Sequence, residues 1–149
     1  GVNKDWKCPL EEIKVGTGRK LKDGDQVAIL TVGPIGNDAQ KAIEALPQRD
    51  NVAHYDMRFI KPLDGDLLDE IGKKFKKVIT IEDGIRNGGF GSAVLEWFND
   101  HGYAPSVQRM GLPDEFVTHG SVDELRRIVG LDAPHIKQNI EAMLASDQV

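Results

Sequence analysis

Glu82 and Asp83 stand side by side at the end of a short apolar run, Val78-Ile-Thr-Ile81, and Gly84, Gly88, Gly89 and Gly91 follow before Ser92. Paired carboxylates at a strand exit are material for acid–base or ion-pair chemistry, although catalysis also needs a substrate cleft around them. Glycines that lead into a helix N-terminus present backbone N–H groups and a positive dipole end to an anion. The same glycines let a second backbone approach closely, because no Cβ stands in the way. The stretch from Gly84 to Ser92 is therefore an anion or interface loop built on Glu82, Asp83, Gly88, Gly89, Gly91 and Ser92. Close packing against another domain or subunit is the preferred reading, with the two carboxylates anchoring that contact.

The remaining chemistry-bearing residues are sparse. His54, His101, His119 and His135 form no HExxH or other ligand spacing. His54 falls within an apolar run and reads as structural, and His101 falls at a helix C-terminus, where a cation is welcome. His119 lies in a loop beside Gly120 and ahead of a capped helix, and is the one histidine placed to approach an active site supplied by another domain. Gly33-Pro-Ile-Gly36 occupies the position of a dinucleotide fingerprint but has two of the three glycines required, and Pro34 has no N–H to give a phosphate. It reads as a tight strand-to-helix turn. No Walker A and no GxSxG sequence occurs. The lone Cys8 can form neither an internal disulfide nor a zinc cluster, and no metal ligand set is expected.

These groups need a scaffold, and the apolar pattern supplies one. Residues 11–15 and 19–22 alternate polar and apolar and predict two short strands, paired as a hairpin. Residues 26–32 are nearly continuous apolar, as in a strand buried on both faces. A helix follows, capped by Asn37 or Asp38 and stopped by Pro47. Residues 52–57 form the next strand, and Asp64 opens a helix with Leu67, Leu68, Ile71 and Phe75 on one side. Between them, Asp56 with Arg58 and Lys61 with Asp64 suit an ion-pair network. Residues 77–81 are a strand, 92–101 a helix and 106–110 a strand, with a loop over 111–120. Ser121 and Glu124 form a capping box for a helix over 122–129, and Asp132 and Pro134 open a last helix that runs to about Ala145. Strands alternating with helices predict a three-layer α/β/α sandwich of about five strands, mostly parallel with one antiparallel edge strand.

A chain of 149 residues with 40% apolar and 29% charged residues suits one globular domain. Net charge −5 argues against a nucleic-acid partner, and no apolar run reaches the ~18 residues of a membrane span. Together with the single thiol, this composition predicts a cytoplasmic protein. Gly1 replaces an initiator Met, so the chain reads as processed or as a piece of a longer polypeptide, with residues 1–10 a linker remnant and residues 11–149 the domain.

Several runs are specific to one family. Thr31-Val-Gly-Pro34, Asp56-Met-Arg-Phe-Ile-Lys-Pro-Leu-Asp64, Thr80-Ile-Glu-Asp-Gly84, Gly88-Gly-Phe-Gly-Ser92 and Gly111-Leu-Pro-Asp-Glu-Phe-Val-Thr-His-Gly120 occur in this order. Over roughly residues 10–145 the chain resembles the C-terminal domain of the 1-deoxy-D-xylulose-5-phosphate synthases, which are transketolase-like enzymes. The resemblance implies a whole enzyme that joins pyruvate to glyceraldehyde 3-phosphate with loss of carbon dioxide, using thiamine diphosphate and Mg2+. Its product feeds isoprenoid, thiamine and pyridoxal synthesis. In that family the cofactor is held by two other domains, through a Gly-Asp-Gly…Asn motif and a glutamate. No Gly-Asp-Gly occurs here, and Asp23-Gly24-Asp25 lacks the downstream Asn. The resemblance thus implies a fragment that binds no cofactor, packs against the cofactor-binding domains of the same enzyme, supports a homodimer and is inactive alone. His119 is its one candidate near the full-length active site. The alternative is a regulatory or anion-binding α/β domain that uses the loop from Gly84 to Ser92.

Overall fold

The computed structural model describes residues 11–114 and 120–146. Five strands form one sheet: β1 (Arg19–Lys22), β2 (Val27–Val32), β3 (Val52–Asp56), β4 (Lys77–Ile85) and β5 (Ser106–Leu112), in the order β1-β3-β2-β4-β5. The β2, β3, β4 and β5 pairings are parallel, and β1 lies antiparallel on β3 at one edge. The helices are α1 (Gly36–Glu44), α2 (Gly65–Lys74), α3 (Phe90–Asp100), α4 (Val122–Ile128) and α5 (Ala133–Ala145). The expected three-layer sandwich is the observed one.

Alternation along β2 distributes its side chains to two cores. Val27 and Ile29 pack with Ile35, Ala39 and Ile43 at α1 and with Ile136 and Ile140 of α5. Ala28 and Leu30 pack on the other face with Leu68 and Ile71 of α2 and Val94 and Phe98 of α3. These four residues, Val27 to Leu30, are fully buried, which is why this stretch of β2 carries no polar side chain. Truncating Ile29 to Ala would cost roughly 2–5 kcal/mol through lost transfer energy and the cavity left behind.

Helix starts follow local chemistry where a side chain can reach an orphan N–H. Asp64 accepts from Leu67 N at 3.0 Å, Asp132 accepts from His135 N at 3.2 Å, and Ser121 and Glu124 make the reciprocal capping box. α1 departs from expectation. Its N-cap is Ile35, with no side-chain cap, and Asn37 and Asp38 lie inside the first turn. The buried Ile35 side chain sets the start of the helix, which leaves Asp38 to bond elsewhere.

Four further expectations are corrected. Residues 11–15 form no strand, so the hairpin is absent. A lone hairpin is marginal in water, whereas the free edge of β3 offers β1 a ladder and an ion pair, Arg19 with Asp56 at 3.0 Å. The set Asp56, Arg58, Lys61 and Asp64 forms no network of its own. Asp56 goes to Arg19, and Asp64 caps α2 while its second oxygen accepts from Gly18 N at 2.7 Å. β4 continues past Ile81 to Ile85, because β5 extends to Leu112 and pairs with it beyond an irregularity. α3 starts at Phe90, earlier than residue 92.

Candidate functional site

The longer β4 places Glu82 and Asp83 within a strand, where successive side chains point to opposite faces. The two acids therefore serve different layers. Glu82 turns toward α3 and is 3% exposed. One carboxylate oxygen accepts from Phe90 N and the other from Gly91 N, each at 2.9 Å. A negative group thus satisfies two orphan donors at the positive end of the helix dipole. The position that would hold a phosphate on α3 is filled by the chain's own side chain.

The glycines make this geometry possible. A Cβ on Gly89 would lie 2.2 Å from the Ile85 carbonyl oxygen and 2.3 Å from Glu82 Oε2. On Gly91 it would lie 2.4 Å from Thr80 Oγ1. The close approach is thus made by β4 of the same domain. Gly88, at φ +80°, turns the loop, and its N–H donates to Ser92 Oγ at 2.9 Å. Arg109 Nη1 donates to Ser92 Oγ at 2.6 Å and to the Arg86 carbonyl at 3.1 Å, holding the loop against β5.

Asp83 faces the other layer. β2 and β4 are neighbours, yet the chain leaves β2 toward β3 and leaves β4 toward β5. Their carboxyl ends therefore flank the topological switch point, where open α/β sheets bind ligands. Arg126 of α4 occupies that crevice. It donates Nη2 and Nε to the two Asp83 oxygens at 2.7 and 3.2 Å, and Nη1 to Asp38 Oδ2 at 2.7 Å. Its side chain is 18% exposed, so the pairs are partly shielded from water. α4 buries no residue, and this three-sided clamp joins it to α1 and β4. The cavity beside the clamp is lined by Asp38, Asp123, Glu124, Arg126, Arg127 and Asp132, a set richer in carboxylates than in guanidinium groups.

The histidines are dispersed. His54 is 2% exposed, lies 3.0 Å through Nε2 from Thr31 Oγ1, and has its pKa pushed down by burial to about 4. It is a neutral core residue, as expected. His101 stacks on Trp97 with ring centroids 3.9 Å apart, and His135 contacts the Asp132 carboxylate. His119 lies outside the described residues. Among the described residues no three His, Cys, Asp or Glu side chains are grouped to hold a metal ion. Among the described residues these two places suit a diphosphate poorly: α3 carries its own carboxylate, and the switch-point crevice is acidic and holds Arg126. Arg126 went unnoticed as a site residue because its partners stand 43 and 88 positions away, and no local pattern links them.

Comparison with known proteins agrees with this architecture. Residues 16–136 match the family model described as "Transketolase, C-terminal domain". The chain is 53% identical over 142 residues to 1-deoxy-D-xylulose-5-phosphate synthase of Bacteroides thetaiotaomicron, covering 94% of this chain and 22% of that protein. It is 56% identical over 130 residues to the synthase of Phocaeicola vulgatus, covering 86% and 21%. The chain thus spans about a fifth of the length of the curated relatives it matches. A solved split-gene transketolase, an inactive β4 tetramer, superposes with a TM-score of 0.82 at 28% identity, covering 93% of this chain and 45% of that one. With its five-stranded mixed sheet and a family match across most of its length, the chain belongs to the transketolase C-terminal domain family.

Proposed function

We propose that residues 11–149 are the C-terminal domain of a thiamine-diphosphate-dependent 1-deoxy-D-xylulose-5-phosphate synthase, with residues 1–10 the linker from the preceding domain. The full-length enzyme condenses pyruvate with glyceraldehyde 3-phosphate, releases carbon dioxide, uses Mg2+ and works in the cytoplasm. Its similarity to full-length synthases supports that assignment. The domain itself serves packing against the cofactor-binding domains and homodimer assembly, and is inactive alone. It takes no nucleic-acid or membrane partner. The observation that carries this reading is the self-occupied pair of ligand positions: Glu82 on the N-terminus of α3 and Arg126 in the switch-point crevice.

Thiamine diphosphate supplies the carbanion chemistry where it is bound, and this domain contributes shape and contact surface. Gly88 and Ser92 form the outer side of the loop offered to a neighbouring domain or subunit, and His119 is the residue proposed to approach the full-length active site. A second reading keeps the loop from Gly84 to Ser92 as an anion site of a regulatory domain. Arg109 favours it, because its guanidinium reaches Ser92 and has no carboxylate partner among the described residues. The test is calorimetry and turnover with the isolated chain, thiamine diphosphate, Mg2+, pyruvate and glyceraldehyde 3-phosphate. No turnover and no cofactor binding are expected, and turnover by the chain alone would sink the proposal. His119→Ala in the full-length enzyme should lower activity with assembly intact. Unchanged kinetics would remove His119 from the active site.

A further inference from the structure

Arg58 is the one non-glycine residue of the described chain with positive φ, at +57°. That conformation is strained for a residue with a Cβ and persists where the surroundings or a function require it. Its N–H is held by Asp56 Oδ1 at 3.2 Å, so the turn is built on the end of β3. Arg58 as a whole is half-buried, and its guanidinium has no hydrogen-bond or ion-pair partner among the described residues. Asp56, the nearest acid in sequence, is taken by Arg19. An arginine held in this conformation with its five N–H donors uncommitted suits a carboxylate brought by a partner.

Exposed apolar residues stand on the two chain segments that meet at this edge of the sheet. Ile60 is 46% exposed, and Ile13 and Val15 are 51% and 68% exposed. The segments are adjacent: a Cβ on Gly16 would lie 2.8 Å from Pro62 Cγ, and Gly18 N is bonded to Asp64. The chain entering β1 therefore runs beside the segment that carries Arg58 and Ile60 out of β3.

We propose that this edge, where Arg58 and Ile60 stand beside the segment that enters β1, is where the preceding part of the same polypeptide docks, with an acidic side chain of that part meeting Arg58. The inference rests on the reading of the chain as one domain of a longer enzyme. The occupant follows from connectivity. Whatever precedes Gly1 is tethered to Glu11 by ten residues, a reach of at most roughly 35 Å. Short tethers give effective concentrations in the millimolar range, and the matched relatives hold about four-fifths of their length outside the part this chain covers. A carboxylate from that segment pairs with the guanidinium, and Ile60 supplies apolar surface beside the pair.

The test uses the full-length enzyme and trypsin, which can cut the linker after Lys4 and Lys7. Arg58→Gly removes the guanidinium and leaves φ +57° free of strain, so the fold is kept. Ile60→Asp removes the apolar surface beside the pair, and Leu95→Asp on α3, where Leu95 is 41% exposed, is the control. The proposal predicts at least tenfold faster linker cleavage in Arg58→Gly and Ile60→Asp and an unchanged rate in Leu95→Asp. Unchanged cleavage in the first two variants, or equal acceleration by Leu95→Asp, overturns it. A shift from dimer to monomer with unchanged cleavage also overturns it and assigns the edge to a second copy. If the gene encodes no cofactor-binding part upstream, the reading of the chain as a synthase domain fails before any variant is made.

Discussion

Replacing Glu82 by Gln tests the most unusual feature of the domain, a buried carboxylate used as a helix cap across sheet and helix. Gln keeps the volume and one carbonyl oxygen, so packing on Phe90 and the glycines is preserved. It loses the charge and sets an NH2 group against one of the two backbone donors now bonded at 2.9 Å. A hydrogen bond to a charged group contributes about 1.5–3 kcal/mol, and a buried donor left unpaired costs a further ~1–3 kcal/mol. Loss of the dipole complement adds up to ~2 kcal/mol. These contributions overlap, and a net loss of about 3 kcal/mol is expected. For a domain of this size each kcal/mol moves Tm by roughly 2–4 °C, so thermal unfolding followed by circular dichroism should fall by roughly 6–12 °C. Glu96→Gln on the exposed side of α3 is the control and should stay within about 0.5 kcal/mol. A Glu82→Gln variant as stable as Glu96→Gln would refute the capping role, and with it the claim that the N-terminus of α3 is already filled.

Further outcomes follow from the same geometry. Gly91→Ala forces a Cβ to within 2.4 Å of the buried Thr80 hydroxyl, and the overpacking should cost about 1–3 kcal/mol in urea unfolding with an unchanged m value. Arg126→Met should cost about 2 kcal/mol, because Asp38 and Asp83 lose a partly shielded partner. Amide exchange should then quicken in α4 while α3 keeps its protection. His54 titrates near pH 6.5 when unfolded and near 4 when folded. Between these values the unfolded state binds more protons, so stability is full above pH 6.5 and declines as pH falls toward 4, by about 3 kcal/mol in total. His54→Gln should remove that part of the pH dependence, measured as urea midpoints from pH 4 to 7.

The elements that could be read from sequence were those set by local chemistry. The continuous apolar run at residues 26–32, the Ser121–Glu124 capping box and the Asp64 and Asp132 caps each depend on residues within a turn of one another. What escaped depended on distant partners. The pairing of residues 19–22 with β3 was set by an edge 37 positions away at Asp56, and a local hairpin pattern pointed elsewhere. The end of β4 was set by how far β5 continues, so glycines that look like a loop start in sequence lie partly in a strand. Glu82 and Asp83 were recognisable as notable, but adjacency concealed that the pleat sends them to opposite layers. Glu82's partners are backbone N–H groups, which every residue but proline carries, so no residue type marks them. Asp38 looked like a cap for α1 and is instead one arm of the Arg126 clamp.

The central proposal is that this domain fills its own ligand positions and that the cofactor belongs to other parts of a full-length synthase. Its most direct test is a titration of the isotope-labelled chain with thiamine diphosphate and Mg2+, and separately with inorganic phosphate, following the amide signals of Gly88, Gly89, Phe90 and Gly91. The account predicts flat shifts to millimolar ligand, because the Phe90 and Gly91 donors stay on Glu82. Saturable shifts at these amides would contradict it and would establish the loop from Gly84 to Ser92 as an anion site.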